Sequence, residues 1–130
     1  MRLVNYYFSW FFRPGPVRTL VVDGRKRSYF LHLPRGFDRR SPLPVVIALH
    51  GSTMNGPMLA WLSGLDDKAD QAGFIAVFPN GTGEGDNFFW NAGDCRGPAA
   101  ENGVDDVKFI AALLDDLSSA YAVDPHRIYV

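Results

Sequence analysis

The chain has 130 residues, of which 47% are hydrophobic and 21% charged, a balance typical of one folded globular domain and not of a disordered segment. Its formal net charge of -1 comes from 13 Lys and Arg against 14 Asp and Glu. No broad positive field is available to attract a nucleic-acid backbone, so we expect no nucleic-acid partner.

An apolar segment opens the chain at residues 1–16, where MRLVNYYFSWFF is followed by Arg13-Pro14-Gly15-Pro16. It is shorter than the ~20 residues that cross a bilayer, and no small-residue cleavage pattern follows it. We interpret it as a packing or interfacial segment or an arbitrary start site, and expect no membrane partner. The remainder, 17–130, is predicted to form one domain.

Two β-rich runs, Val17 to Val22 and Ser28 to Leu33, flank Asp23-Gly24. This dipeptide is a strong signal for a tight turn between strands, so the region predicts an antiparallel hairpin. The alternation in the second run is imperfect, which indicates a strand near a sheet edge, with His32 on the surface.

Two later runs, VVIALHG and FIAVF, are apolar without polar alternation. Such runs are typical of parallel strands covered on both faces. Between them, Ser63 followed by Asp66 predicts a helix N-cap, and Gly73 predicts the end of that helix.

A Gly-rich stretch at 81–103 predicts a long loop, and loops of this length usually form a site or are disordered. The following residues predict a long helix with Asp105 and Asp106 in its first turn. The predicted apolar face of this helix consists of Val107, Ile110, Leu114, Leu117 and Tyr121.

The chain closes on VDPHRIYV, in which an Asp-Pro turn leads into a strand that we expect to lie inside the sheet. His126 is then a surface turn residue. The order of strands and helices predicts an α/β fold with right-handed crossovers and helices on both faces of the sheet.

The most suggestive motif is His50-Gly51, at the end of the first buried strand. Ligands bind at the carboxyl ends of parallel strands, and a glycine there lets backbone N–H groups turn outward to stabilise an oxyanion. An ordinary strand-to-loop turn explains the same residues equally well.

Other motifs point to no cofactor or metal. Glycines at 81, 83 and 85 do not have the G-x-G-x-x-G spacing of a dinucleotide site. Adjacent aspartates on a helix point about 100° apart and cannot converge on one ion. Such pairs occur at 66/67, 105/106 and 115/116.

Asn80 begins an NGT glycosylation sequence that matters only in a eukaryotic secretory pathway.

The search for a catalytic triad finds no complete set. No serine lies in a G-x-S-x-G context, and Cys95, the only cysteine, has no adjacent base. No disulfide can therefore close within the chain.

Five stretches together resemble the N-terminal half of polyhydroxybutyrate depolymerase-like and feruloyl esterase-like α/β-hydrolases. They are RSYFLHLPRGF, PVVIALHGSTMN, GFIAVFPNGT, FFWNAGDCRGPAAENGVDDVKFI and DPHRIYV. The resemblance covers about residues 18 to 130. It implies a partial α/β-hydrolase domain and suggests an extracellular or periplasmic location.

In that family the strand matching RIYV leads into the nucleophile elbow. The resemblance therefore implies that the catalytic Ser, Asp and His all follow Val130, and no catalytic residue is assigned within the chain. It assigns His50 and Gly51 to the oxyanion loop, with the backbone N–H of Ser52 or Thr53 as one donor. Trp90 and Asn91 match an element beside the pocket, with either a structural or a substrate-binding role.

Two functional hypotheses follow. In the first, the chain is part of a serine esterase acting on polyhydroxyalkanoate polyesters or on feruloyl or acetyl esters, and is inactive by itself. In the second, it is a small non-catalytic α/β binding module whose contact surface is the aromatic loop 86–91. The first hypothesis also predicts that the isolated chain self-associates through its last strand.

Overall fold

A computed structural model describes residues 16–93 and 97–130 of the chain. Almost all of the apolar N-terminal segment, and Cys95, lie outside the described residues. No helix among the described residues is long and apolar enough to span a membrane.

The first two strands are β1 (Val17–Val22) and β2 (Arg25–His32), which pair antiparallel. Asp23 and Gly24 join them with φ angles of 50° and 75°, the left-handed conformation that a two-residue hairpin turn requires. The predicted hairpin is confirmed.

A mixed sheet of five strands forms the centre of the fold. The strands β3 (Leu43–Ile47), β4 (Ile75–Pro79) and β7 (Val123–Tyr129) are parallel, and the spatial order is β1-β2-β4-β3-β7. Every residue of β4 is buried. The continuous apolar runs thus correctly predicted two interior parallel strands.

Helices cover both faces of the sheet, as expected. On one face Ile75 and Val77 pack in a cluster with Phe109 and Leu113 of helix α4 (Asp106–Ala120). The opposite face, which includes Ala76 and Phe78, is covered by α1 (Gly56–Ser63) and α2 (Leu65–Ala72). The alternation of β4 side chains between two layers of helices explains why no polar residue occurs in that strand.

The region between β3 and β4 contains two helices where one was predicted. Asn55 caps α1 through its side chain, and α2 begins after Gly64, not at Ser63. Gly64 has a φ of 62°, so the chain turns between the two helices at a residue without a Cβ. The predicted end at Gly73 is confirmed, with a φ of 76°.

The face of α4 agrees with the predicted one in part, since Leu117 is buried and Ile110, Leu114 and Tyr121 pack against the core. Its buried residues are Asp106, Phe109, Leu113 and Leu117, whereas Val107 is 83% exposed. Asp105 is the N-cap and accepts the Lys108 N–H.

The predicted long loop contains regular structure. It forms a hairpin of β5 (Thr82–Glu84) and β6 (Asn87–Phe89), followed by the short helix α3 (Pro98–Glu101).

The last strand forms one border of the sheet within the described chain and does not lie inside it. A bulge interrupts its pairing with β3 between the partners Leu43–Val123 and Val45–Ile128. His126 is an exposed residue of this bulge, and its N–H donates to the Asp124 carboxylate.

Candidate active site

The candidate site lies at the carboxyl ends of β3 and β4, beside each other in the sheet. The pairing continues one residue beyond β3, where the Ala48 N–H donates to the Val77 carbonyl at 2.9 Å. The chain then leaves the sheet at His50 and forms the segment 50–55, which we call the oxyanion loop after the role that the resemblance implies for it. This edge is where ligands bind in open α/β sheets.

A tight turn shapes the oxyanion loop. The Met54 N–H donates to the Gly51 carbonyl at 3.2 Å, and Thr53 has a left-handed φ of 62°. The Thr53 N–H donates to the Phe88 carbonyl at 3.0 Å, and the Phe88 N–H returns a bond to the Met54 carbonyl. The loop is thereby pinned to strand β6.

Of the two predicted backbone donors, only Ser52 remains a candidate. The Thr53 N–H is already bonded to Phe88, whereas Ser52 is exposed and its N–H has no acceptor among the described residues. The Gly51 carbonyl accepts from both Met54 N–H and His50 Nδ1. Because the peptide unit is planar and trans, the Ser52 N–H points away from that carbonyl and its partners.

His50 is a structural residue of this loop. Its Nδ1 lies 2.7 Å from the Gly51 carbonyl oxygen, and its Nε2 accepts the Gly81 N–H at 3.0 Å. A carbonyl only accepts and an amide only donates, so the ring is neutral with its proton on Nδ1. Burial lowers the pKa of His50 below its usual value, against the opposing effect of the Gly51 carbonyl.

Trp90 lies directly against the same loop. Its indole Nε1 donates to the His50 carbonyl at 2.9 Å, and the two rings lie 4.9 Å apart at 34°. The resemblance implies that Trp90 lies beside the pocket, and in the structure Trp90 contacts His50, the residue from which the oxyanion loop begins.

Asn91 ties the same region to helix α4. Its backbone N–H donates to the Asp106 carboxylate at 2.7 Å, and its side chain donates to the Val104 carbonyl at 2.9 Å. These bonds support a structural role for Asn91, the first of the two that the sequence left open.

A buried ion pair that no local sequence pattern predicts connects β2 to the start of α4. Arg27 is 3% exposed and Asp106 is 9% exposed, with 2.7 Å between Arg27 Nη2 and Asp106 Oδ1. The guanidinium carbon lies 3.8 Å from the centre of the Phe109 ring. Arg27 is the last of three consecutive basic residues at the start of β2, a pattern typical of an exposed segment, and its partner lies 79 residues along the chain.

Asn80 is a second buried polar residue at this edge of the sheet. Its side chain accepts the Gly56 N–H at 2.7 Å and donates to the Ser28 hydroxyl at 3.0 Å. It therefore links β2, β4 and the start of α1. With 7% of its surface exposed, its amide is inaccessible to glycosylation in the folded chain.

None of the three histidine rings is hydrogen-bonded to a serine in the described part of the chain, so none belongs to a catalytic pair there. His32 lies at the opposite end of the sheet, with its Nε2 2.8 Å from Asp70. It is half-buried and has an acidic partner, and so is less exposed than a surface strand residue. Both ring nitrogens of His50 are engaged with the backbone, and His126 lies in the bulge.

A cleft of about 350 Å³ lies between the start of β2 and the β5–β6 hairpin, and none of its lining residues belongs to the oxyanion loop. Arg25 and Lys26 line it together with Gly81 and Phe88, whose backbones bond to His50 and to the oxyanion loop. Among residues 16–93 and 97–130, no three His, Cys, Asp or Glu side chains are grouped so that they could hold a metal ion.

Comparison with known proteins relates this architecture to esterases. No family model matches the chain. "Putative esterase NocK" from Nocardia uniformis subsp. tsuyamanensis is 33% identical over 119 residues, which cover 86% of this chain and 32% of NocK.

Three solved structures share the fold. A ferulic acid esterase is 25% identical with a TM-score of 0.59, covering 87% of this chain and 47% of that chain. The acetyl xylan esterase from Aspergillus awamori is 19% identical with a TM-score of 0.60, covering 88% and 41%. A protein described as native sOPH is 19% identical with a TM-score of 0.65, covering 88% and 42%.

The chain thus spans about a third of the length of NocK and less than half of these solved chains. The predicted fold class, a partial α/β-hydrolase fold, is confirmed. The predicted resemblance to depolymerase-like and feruloyl esterase-like hydrolases is also confirmed.

Proposed function

Because the chain shares a partial α/β-hydrolase fold with esterases, we propose that its protein is a serine carboxylic-ester hydrolase. The proposed substrates are polyhydroxyalkanoate polyesters or feruloyl or acetyl esters. A serine oxygen attacks the ester carbonyl, the alcohol leaves, and water hydrolyses the acyl-enzyme.

The observation that supports this proposal best is the backbone of the oxyanion loop. The Ser52 N–H is free of acceptors among the described residues, and the loop that carries it is held by Phe88, Gly81 and Trp90. Such a fixed donor stabilises the tetrahedral oxyanion without reorganising during the reaction. Removing one donor of this kind costs about 10²- to 10³-fold in kcat in enzymes where it has been tested.

In this proposal the described residues contribute electrostatic stabilisation of the oxyanion. The nucleophile, the base and the orienting acid are not among them. The His32 ring contacts Asp70, both ring nitrogens of His50 bond to the backbone, and no described serine is hydrogen-bonded to a histidine ring. We therefore expect the isolated chain to be inactive.

Ester hydrolysis by the purified 130-residue chain tests this division of roles. With p-nitrophenyl butyrate, we expect no turnover above the buffer rate. Turnover that a serine-directed inhibitor abolishes would contradict the proposal, because the chain would then contain its own nucleophile.

Reading the coding DNA beyond the Val130 codon tests the hydrolase proposal directly. We expect a G-x-S-x-G-like elbow within about ten codons, because the nucleophile follows a strand in this fold. The product of the longer reading frame would then be assayed on polyhydroxybutyrate, methyl ferulate and acetylated xylan. Absence of such a serine in every frame, or inactivity on all three esters, would argue against a serine esterase.

The alternative of a binding module gains less support from the contacts. Its proposed surface, 86–91, includes Phe88 and Trp90, which are only half-exposed. Both are engaged with the oxyanion loop instead of facing outward together. A cooperatively melting monomer that binds a ligand through this loop would nevertheless favour the alternative over the esterase.

A further inference from the structure

Asp106 is connected to the oxyanion loop through a short series of hydrogen bonds. Its Oδ2 accepts the Asn91 N–H at 2.7 Å. The neighbouring Trp90 donates its indole N–H to the His50 carbonyl at 2.9 Å, where the loop begins. Two hydrogen bonds and one peptide link therefore separate a buried carboxylate from the backbone that leads to Ser52.

The carboxylate of Asp106 is itself held in place. Arg27 Nη2 donates to its Oδ1 at 2.7 Å and also to the Asn80 carbonyl at 3.3 Å. The Phe109 ring packs against the Arg27 guanidinium. A charged group fixed in this way gives Asn91 an acceptor whose position hardly varies, which is how supporting residues orient a site.

From these contacts we propose that Asp106 is a positioning residue for the oxyanion loop. It fixes Asn91, which holds the Trp90 indole on the His50 carbonyl, and so fixes the peptide that presents the Ser52 N–H. The inference rests on the proposed function for its catalytic meaning. The mechanical coupling between Asp106 and residues 50–55 is measurable without any ester.

Hydrogen–deuterium exchange read by mass spectrometry reports this coupling. The Thr53 and Met54 amides are hydrogen-bonded within the loop or to β6, so their exchange measures loop opening. Both Asp106 variants are made in an Arg27→Met background, because removing Asp106 alone would leave a buried guanidinium unpaired.

In that background, Asp106→Asn retains a side-chain oxygen for the Asn91 N–H, whereas Asp106→Ala removes it. We expect Asp106→Ala to exchange about threefold to tenfold faster at Thr53 and Met54 than Asp106→Asn, as expected for one lost hydrogen bond. Equal exchange in the two variants would overturn the inference.

The matched control is Arg18→Met with Asp116→Ala. This pair deletes the other Arg–Asp contact between the first hairpin and α4, and it touches no residue of the oxyanion loop. We expect loop exchange as in the wild type. Equal acceleration of the loop in this control would also overturn the inference, because the effect would then be a general loss of stability.

Trp90→Phe in the otherwise unchanged chain gives a second test if the Arg27 variants fail to fold. It removes the indole donor and keeps an aromatic ring against His50, and we expect the same acceleration at Thr53 and Met54. Unchanged exchange would break the proposed link. Failure of the hydrolase proposal is separate, since that proposal concerns ester turnover and not loop opening.

Discussion

The Nε2 atom of His50 lies 3.0 Å from the Gly81 backbone nitrogen and accepts its hydrogen. Because Nδ1 faces the Gly51 carbonyl at 2.7 Å, the ring satisfies both contacts only when it is neutral. This histidine therefore joins the loops after β3 and β4 in a protonation-dependent way, and is unavailable as a catalytic base.

The first prediction concerns pH. The pKa of His50 is lowered in the fold, so the unfolded chain takes up a proton first as the pH falls. His50 then contributes no destabilisation above its unfolded pKa of about 6.5, and stability is lost as the pH falls from there toward the folded pKa. We expect a lower free energy of unfolding at about pH 5.5 than at about pH 7.5, measured by urea titration.

His50→Gln should be less stable than the wild type at both pH values and should lose less on acidification. His126→Gln, which alters an exposed residue, serves as the control and should keep the wild-type pH dependence. An unchanged acid-induced loss in His50→Gln would assign the effect to another group.

The second prediction concerns the close approach of α1 to β4. A Cβ on Gly56 would lie 2.5 Å from the Phe78 carbonyl oxygen, a backbone atom that cannot rotate away. Gly56→Ala should therefore destabilise the chain by about 1–3 kcal/mol through overpacking. In the control Gly51→Ala, the new Cβ meets only the Met54 sulfur at 3.4 Å. If thermal melting gives equal losses for the two variants, the steric explanation is wrong.

The third prediction concerns Asp116, which joins the first hairpin to α4. Arg18 donates two bonds to its carboxylate at 2.7 and 3.0 Å, and the Tyr29 hydroxyl donates a third at 2.7 Å. The Arg18 contact lowers the pKa of Asp116, so this stabilisation is present above the unfolded pKa of an aspartate and is lost as the pH falls through the folded value.

Asp116→Asn should lower the free energy of unfolding by about 1–2 kcal/mol at neutral pH, because charge-assisted hydrogen bonds are stronger than neutral ones. Asp124→Asn is the comparison, since Asp124 pairs with the half-exposed Arg127 within one strand. Exposed ion pairs contribute little to stability, so a larger loss at Asp124 than at Asp116 would refute the argument.

The sequence predicted those parts of the fold that depend on local patterns. Asp23-Gly24 specifies its turn through backbone conformation alone, and the apolar run in β4 requires cover on both faces whatever supplies it. The His50-Gly51 motif located the loop, but it could not choose between Ser52 and Thr53. That choice depends on the Phe88 carbonyl, which comes from a hairpin that the sequence did not reveal.

The predicted face of α4 was wrong only at Val107, because two sets of residues have helical spacing. The apolar pattern favoured Val107, whereas the chain buries Asp106 one position earlier. Burial of that carboxylate depends on Arg27, which is 79 residues distant in the sequence, and no local pattern signals such a pair. The Asp106 carboxylate also accepts the Asn91 N–H, so the structural role of Asn91, one of the two that the sequence left open, depends on the same distant pair.

The last prediction concerns the outer edge of β7. Tyr129 is 55% exposed and Val130 is 79% exposed. Leu49, just beyond the end of the neighbouring strand β3, is 45% exposed. An edge with apolar side chains and free backbone groups is a template for pairing with another chain. Pro125 and the bulge around it interrupt the first half of the strand, so pairing should concentrate on its last residues.

We therefore expect the isolated chain to self-associate, with sedimentation velocity showing species larger than a monomer as concentration rises. Tyr129→Lys combined with Val130→Lys should shift the distribution toward monomer, because charge on an edge opposes pairing. Val107→Lys, at a residue 83% exposed on α4, is the control and should leave association unchanged. A monomer at every concentration, or equal dissociation by the control, would show that β7 is not the contact.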